Sequence, residues 1–120
     1  MNKLTNNYNL EERTAKFGEL SIELCKKLRQ DNISSPLINQ FVRSSTSIGA
    51  NYMEANGASS KKDFQNKIFI CKKEAQETKH WLRMLAKYFP DQTEEFRNLW
   101  KETQELTLIF QKIGSTLKNK

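Results

Sequence analysis

The chain has 120 residues, of which 37% are apolar and 28% charged, and its formal net charge is +6. This length suits a single domain, which we expect over residues 1–120, and no uncharged run approaches the roughly 20 residues of a membrane-spanning helix. The N-terminal sequence lacks the apolar run of a secretory signal, so the expected location is cytoplasmic.

Apolar residues recur at steps of three and four along most of the chain, which predicts an all-α protein. We place four helices at about residues 10–30, 36–56, 60–89 and 92–117. The loops between them are short, which favours an antiparallel up-and-down four-helix bundle.

The first two helices are predicted from apolar stripes and from boundary residues. In the first helix the stripe consists of Leu10, Phe17, Leu20, Leu24 and Leu28. In the second it consists of Leu37, Phe41, Ile48, Tyr52 and Ala55, and a milder stripe beside it consists of Ile38, Val42, Gly49 and Met53. Pro36 suits a first helical turn with Ser35 as its N-cap, and Gly57 suits a C-terminal end.

The second helix has only two charged residues, and small residues between 44 and 50 would let another helix approach closely. A helix with so little charge is usually covered on several sides, so we expect a neighbouring subunit against it. Four polar residues recur at helical steps beside its core stripe: Arg43, Ser47, Asn51 and Glu54. We expect Arg43 and Glu54 to bond to Glu74 or Glu77 of the third helix, or across a subunit boundary.

The third helix begins with a capping box at Ser60 and Asp63 and ends before Pro90. Its core arc consists of Phe64, Ile68, Cys71, Ala75, Leu82, Leu85 and Phe89. A second arc consists of Ile70, Trp81, Met84 and Tyr88, mixed with Glu74 and Glu77. A lone bundle needs one apolar arc, so the second predicts a homo-oligomer interface. The alternative is a wide core arc with ordinary exposed aromatic residues.

The fourth helix is predicted to follow Asp91 as its cap, with Glu94 completing the capping signal. Its inward-facing residues are expected to be Phe96, Leu99, Trp100, Thr103, Leu106 and Phe110.

The excess positive charge is concentrated in the third helix. Residues 60–89 carry eight basic and three acidic side chains, whereas residues 91–120 carry five of each. Seven of the cations share one face, which we call the basic face: Lys61, Lys62, Lys72, Lys73, Lys79, Arg83 and Lys87. Such a face favours RNA or DNA phosphates, and Phe69 or His80 is positioned to stack on a base. The alternatives are a surface that docks an acidic protein and an ordinary solvated lysine-rich face.

Catalytic and metal-binding patterns are absent from the sequence. His80 is the single histidine, and we find no Gly-rich phosphate loop and no nucleophile motif. Cys25 and Cys71 are far apart and are interpreted as small core residues. Two cysteines and one histidine are too few for a zinc site. We therefore expect no enzymatic activity, no cofactor and no metal.

The stretch from Arg43 to Gly57 resembles the signature of the four-helix-bundle proteins encoded in intervening sequences of bacterial 23S rRNA genes. The signature reads approximately Arg-x-x-x-Ser-Ile-x-x-Asn-Ile-x-Glu-Gly, and the matching residues are Arg43, Ser47, Ile48, Asn51 and Glu54. The segments 60–64 and 70–77 resemble the family's opening of the third helix and the segment that follows it. The chain departs from the pattern at Tyr52, and at Ala55 and Asn56 before Gly57.

The resemblance implies an up-and-down four-helix bundle that assembles as a homopentamer. The chain is also similar to the accessory variability protein of diversity-generating retroelements, a pentamer whose basic surface binds nucleic acid and a reverse transcriptase. The resemblance therefore implies a homo-oligomer with a nucleic-acid or protein partner, and it leaves the biological role open.

Overall fold

The computed structural model describes residues 9–118, and four α-helices account for most of them. These are α1 (Leu10–Cys25), α2 (Ser34–Asn56), α3 (Lys61–Tyr88) and α4 (Thr93–Lys118), with a short 3-10 turn at Pro90–Gln92 before α4. No β-strand occurs in this part of the chain. The all-α prediction and its four helices are confirmed.

Neighbouring helices run antiparallel, as the partners across each seam show. Between α2 and α3, Ser44 accepts a hydrogen bond from Thr78, whereas Glu54, later in α2, pairs with Lys67, earlier in α3. The α1–α2, α3–α4 and α1–α4 seams have the same antiparallel order. Since α2 and α4 each pack against both α1 and α3, α1 lies diagonally across the bundle from α3.

Five phenylalanines, at least one from each helix, fill the centre of the bundle: Phe17, Phe41, Phe64, Phe96 and Phe110. Each is almost completely buried, and burial of a large apolar side chain contributes about 1.5–3 kcal/mol. Every buried side-chain nitrogen or oxygen in the described residues has a hydrogen-bond partner. The buried polar side chains between residues 9 and 118 are therefore satisfied by partners within the chain.

The loop between α1 and α2 differs from the prediction at both ends. α1 ends at Cys25 rather than near residue 30, because the chain tightens into a turn that still buries Leu28. α2 begins at Ser34, two residues before the predicted start. The cap is the carboxylate of Asp31, which accepts hydrogen bonds from the backbone N–H groups of Ile33 and Ser34, so Ser35 is not the cap.

The predicted cap of α3 is confirmed, because the Ser60 hydroxyl accepts a hydrogen bond from the Asp63 backbone N–H. The predicted cap of α4 is wrong. Residues 90–92 form a 3-10 turn first, so α4 begins at Thr93, whose hydroxyl donates to the Pro90 carbonyl.

Three assignments of core residues were wrong. Leu20 is 47% exposed and Trp100 is 41% exposed, so neither belongs to the core. Of the neighbouring residues Leu37 and Ile38 in α2, Ile38 is buried and Leu37 is only partly buried. Trp100 lies at the edge of the apolar stripe of α4, where a one-residue shift turns a side chain by about 100°.

The small residues of α2 pack against α1 of the same chain. A Cβ atom at Gly49 would lie 3.2 Å from the Thr14 hydroxyl oxygen, and one at Gly18 would lie 3.7 Å from the Thr46 methyl group. The predicted close approach is therefore confirmed, but the chain's own α1 makes it. The small residues consequently give no support to a neighbouring subunit on that side of α2.

Candidate functional site

The basic face of α3 is positive without compensation from nearby acids. Within residues 9–118, none of its seven cations forms an ion pair with a carboxylate. Lys61, Lys62, Lys73, Arg83 and Lys87 are exposed, and the other two are half-buried. From residue 61 to residue 87 the face extends about 40 Å along the helix.

The two half-buried cations of the face lie over aromatic rings. The ammonium of Lys79 is 5.2 Å from the centroid of Trp100 and donates a hydrogen bond to the Gln104 side-chain carbonyl. The ammonium of Lys72 is 5.6 Å from the centroid of Phe69. These contacts hold two positive charges along the seam between α3 and α4.

α4 extends the positive surface, which sequence analysis missed. Arg97, Lys101 and Lys112 are exposed, form no ion pair within residues 9–118, and recur at steps that place them on one side of the helix. We call them the α4 stripe. Because Arg97 lines a groove together with Arg83 of α3, the α4 stripe borders the basic face.

Three acids of α4 pair with basic residues of α1 and of the turn after it, along the seam between the two helices. Arg13 donates two hydrogen bonds to Glu102, at 3.1 and 2.7 Å, and also lies 3.2 Å from Glu105. Lys27 pairs with Glu95 at 2.8 Å. The fourth helix is therefore neutral in total, with three acids paired at the α1 seam and Glu94 exposed on the side of the α4 stripe. The spacing of its charges, rather than their sum, was the signal in the sequence.

Two grooves open along the seam between α3 and α4. The first, which we call the Trp100 groove, has a volume of about 300 Å³ and is flanked by Arg83 and Arg97. The second has a volume of about 450 Å³ and is lined by Phe69 and Lys72 among others. Both grooves combine an exposed aromatic ring with cations. Of the two predicted stacking residues, Phe69 lies in the second groove, and His80 is exposed beside Trp81.

A polar network occupies the seam between α2 and α3, on another side of the bundle. The Arg43 guanidinium donates to Glu77 and lies 3.4 Å from Glu74, as expected from the sequence. The indole N–H of Trp81 also donates to Glu77. Two acids and an arginine thus tie α2 to the flank of α3, with Glu74 nearly buried.

The remaining predicted members of the network have other partners. Within the chain, Glu54 pairs with Lys67 at 2.7 Å and not with Glu74 or Glu77; a bond of Glu54 across a subunit boundary stays a prediction. Ser47 and Asn51 donate to backbone carbonyls one turn earlier in α2. These bonds are local to one helix and need no second subunit.

The second apolar arc of α3 is half-buried within a single chain. Ile70, Trp81, Met84 and Tyr88 are all of intermediate exposure, and Trp81 and Tyr88 pack against the core. The Tyr88 hydroxyl donates a 2.6 Å hydrogen bond to Asp31, which holds the pKa of that carboxyl well below its ordinary value. The arc is therefore partly used by the chain itself.

The described residues offer little for metal or thiol chemistry. Burial raises the pKa of Cys25 to about 11 and that of Cys71 to about 12, so both thiols stay protonated at neutral pH. Between residues 9 and 118, no group of three or more metal-ligating side chains comes together. None of the four described helices has the length and apolarity needed to cross a bilayer.

Comparisons with known proteins agree with this architecture. The family profile for the 23S rRNA-intervening sequence protein matches residues 6–112. A crystal structure of a Bacteroides thetaiotaomicron protein of unknown function from the S23 ribosomal protein family is similar, with a TM-score of 0.77 and 30% sequence identity. That similarity covers 87% of this chain and 96% of the other. No curated protein matched the sequence significantly.

The family match spans most of the chain, including the segment from Arg43 to Glu54. The solved relative has the same fold over nearly its whole length. The chain therefore belongs to the 23S rRNA-intervening sequence protein family.

Proposed function

We propose that this protein is a non-enzymatic, oligomeric nucleic-acid-binding protein in which the basic face of α3 contacts RNA phosphates. The observation that carries the proposal is the set of seven cations without a carboxylate partner in the described residues. Elsewhere on the bundle, Arg13, Lys27, Arg43 and Lys67 have acidic partners, and within residues 9–118 Lys16 is an isolated unpaired cation of α1. Unpaired cations along one face create a field that attracts a polyanion.

The α4 stripe supports the same proposal. It adds three unpaired cations beside the basic face and widens the positive surface from one helix to two. A single helix edge would contact one line of phosphates, whereas two bordering helices and their seam form a track for a nucleic-acid backbone.

Oligomerisation is the second part of the proposal. The half-buried arc of Ile70, Trp81, Met84 and Tyr88 leaves apolar surface beside the Arg43–Glu77 network. Apolar and aromatic residues with an adjacent arginine are enriched in protein interfaces. A ring of copies, with a pentamer as the expected form, would multiply the basic faces and add avidity.

The direct test of binding uses a labelled single-stranded RNA and two matched double variants, followed by fluorescence anisotropy. Lys73→Gln with Lys87→Gln removes two exposed charges of the basic face. Lys16→Gln with Lys26→Gln, called the α1 variant, removes two exposed charges, one in α1 and one directly after it, diagonally across the bundle from α3. We expect the first variant to weaken binding strongly and the second to leave it nearly unchanged.

The outcomes separate the proposal from its rival. No binding by the unmodified protein at low salt, or equal losses in both variants, refutes RNA binding through the basic face. If an acidic protein binds this face and RNA does not, the function is that of an adaptor. Light scattering of the purified protein tests the oligomer separately, and a folded monomer at micromolar concentration would contradict it.

A further inference from the structure

We propose that the Trp100 groove binds an unpaired nucleobase, so that this protein prefers single strands with exposed bases over duplexes. The inference rests on the proposed function and names its ligand more closely. It starts from Trp100, a large aromatic side chain that remains 41% exposed beside Arg83 and Arg97.

The groove has the composition that an unpaired base needs. Leu82, Ala86 and Phe96 supply an apolar floor, and the indole of Trp100 forms part of the wall. Its volume of about 300 Å³ is at the lower end of the range of small-molecule sites, which suits a single flat ring system. Every base has a π-face, so stacking on an indole does not depend on sequence.

Cations surround the groove where the phosphates of a bound strand would lie. Arg83 of α3 and Arg97 of α4 flank it on its two sides, and neither has an acidic partner in the described residues. The ammonium of Lys79 lies 5.2 Å from the Trp100 ring centroid. An aromatic ring among cations matches a nucleotide, which presents a flat base next to a negative phosphate.

A base in a duplex cannot use this site without leaving its stack. Extruding a paired base costs a few kcal/mol, whereas an unpaired base is already accessible. A surface of lysines alone would bind single strands and duplexes according to charge. The Trp100 groove therefore adds a preference for single strands to a binding mode that is otherwise electrostatic.

The test compares two oligonucleotides with the same backbone, one carrying bases and one abasic, each binding to the full-length protein. We expect the strand with bases to bind roughly tenfold more tightly, as one stacked base contributes. Trp100→Leu should abolish this difference while retaining the affinity for the abasic strand. Leu20→Ala, at an apolar residue of similar exposure on α1, should leave the difference intact.

Each result has a distinct meaning. Equal binding of both strands by the unmodified protein overturns the inference and leaves the proposed function standing. Failure to bind either strand refutes the proposed function itself. Loss of discrimination in Phe69→Leu but not in Trp100→Leu would place the base in the other groove and overturn the assignment. A urea midpoint close to that of the unmodified protein shows that Trp100→Leu is folded.

Discussion

The steepness of the salt dependence is the sharpest quantitative prediction for the basic face. For single strands, the logarithm of the binding constant falls with the logarithm of salt concentration by about 0.7 per neutralised phosphate. If all seven cations of the face engage, the slope is about −5. Raising NaCl from about 50 to 200 mM should then weaken binding about a thousandfold.

Removing charges should change the slope by a predictable amount. Lys73→Gln with Lys87→Gln takes away two phosphate contacts, so the slope should change from about −5 to about −3.5. At about 0.1 M salt each lost contact weakens binding about fivefold, so the double variant should bind about 25-fold more weakly. Both side chains are exposed and make no hydrogen bond within residues 9–118, so folding should not change.

The assay is a series of anisotropy titrations at several NaCl concentrations with a strand of about 16 nucleotides, which is in the range of single-strand binding sites. The α1 variant, Lys16→Gln with Lys26→Gln, serves as the control because it changes net charge by the same amount. A slope shallower than about −2 would mean that fewer than three phosphates are contacted, and the basic face could not be the main site. Equal slopes in the two variants would also refute the reasoning.

Three further predictions concern stability and reactivity. Cys25 and Cys71 should not react with a thiol reagent near pH 8 in the native state but should both react in urea, because burial raises their pKa values to about 11 and about 12; rapid native labelling of both would contradict this. Gly114→Ala should stabilise the protein by about 0.5–1 kcal/mol in urea unfolding, since a Cβ there meets no atom within 4 Å and alanine favours the helix; a lower midpoint would show hidden strain. Tyr88→Phe should raise the pKa of Asp31, which NMR titration can measure. The stabilisation that the low pKa of Asp31 provides is present above the pKa of the unfolded state and is lost as pH falls towards the pKa of the folded state. The variant should therefore lose less stability than the unmodified protein between neutral pH and about pH 3.

The periodicity of the apolar residues and the residues typical of helix boundaries were sufficient to predict most of the fold. The bounds of α2 and α3 were predicted to within a few residues, because their apolar stripes are long and Ser60 is a recognisable N-cap for α3. The errors in the helix boundaries are at the loops. Asp31 caps α2 from three residues before the helix, an arrangement that depends on how the chain turns after Leu28.

The Arg43 pairing could be predicted because α2 and α3 are sequential antiparallel helices with a short loop. Under that constraint, a cation on the flank of one helix must meet the flank of the next, where Glu74 and Glu77 lie. The partner of Glu54 was missed because Lys67 had not been assigned to any face of α3.

The α4 stripe could not be seen from the composition of α4, because a count of charges discards their angular positions. Arg13 and Lys27 can pair with Glu95, Glu102 and Glu105 only when α1 and α4 lie side by side. The two helices are far apart in the sequence, so their contact depends on the tertiary fold.

The exposure of Trp100 has a related origin. On α4 it precedes Lys101 and lies four residues before Gln104, whose side chain binds Lys79 of α3. The indole thus sits at the border between the apolar stripe of α4 and its cationic side, where α3 covers only part of it. A tryptophan in a buried stripe would have only a structural role. A tryptophan at this border remains available to a ligand that is both flat and negatively charged. Sequence periodicity assigns Trp100 to the core, but in the bundle α3 covers only part of its indole. The proposed base-binding site depends on the part of the indole that stays exposed.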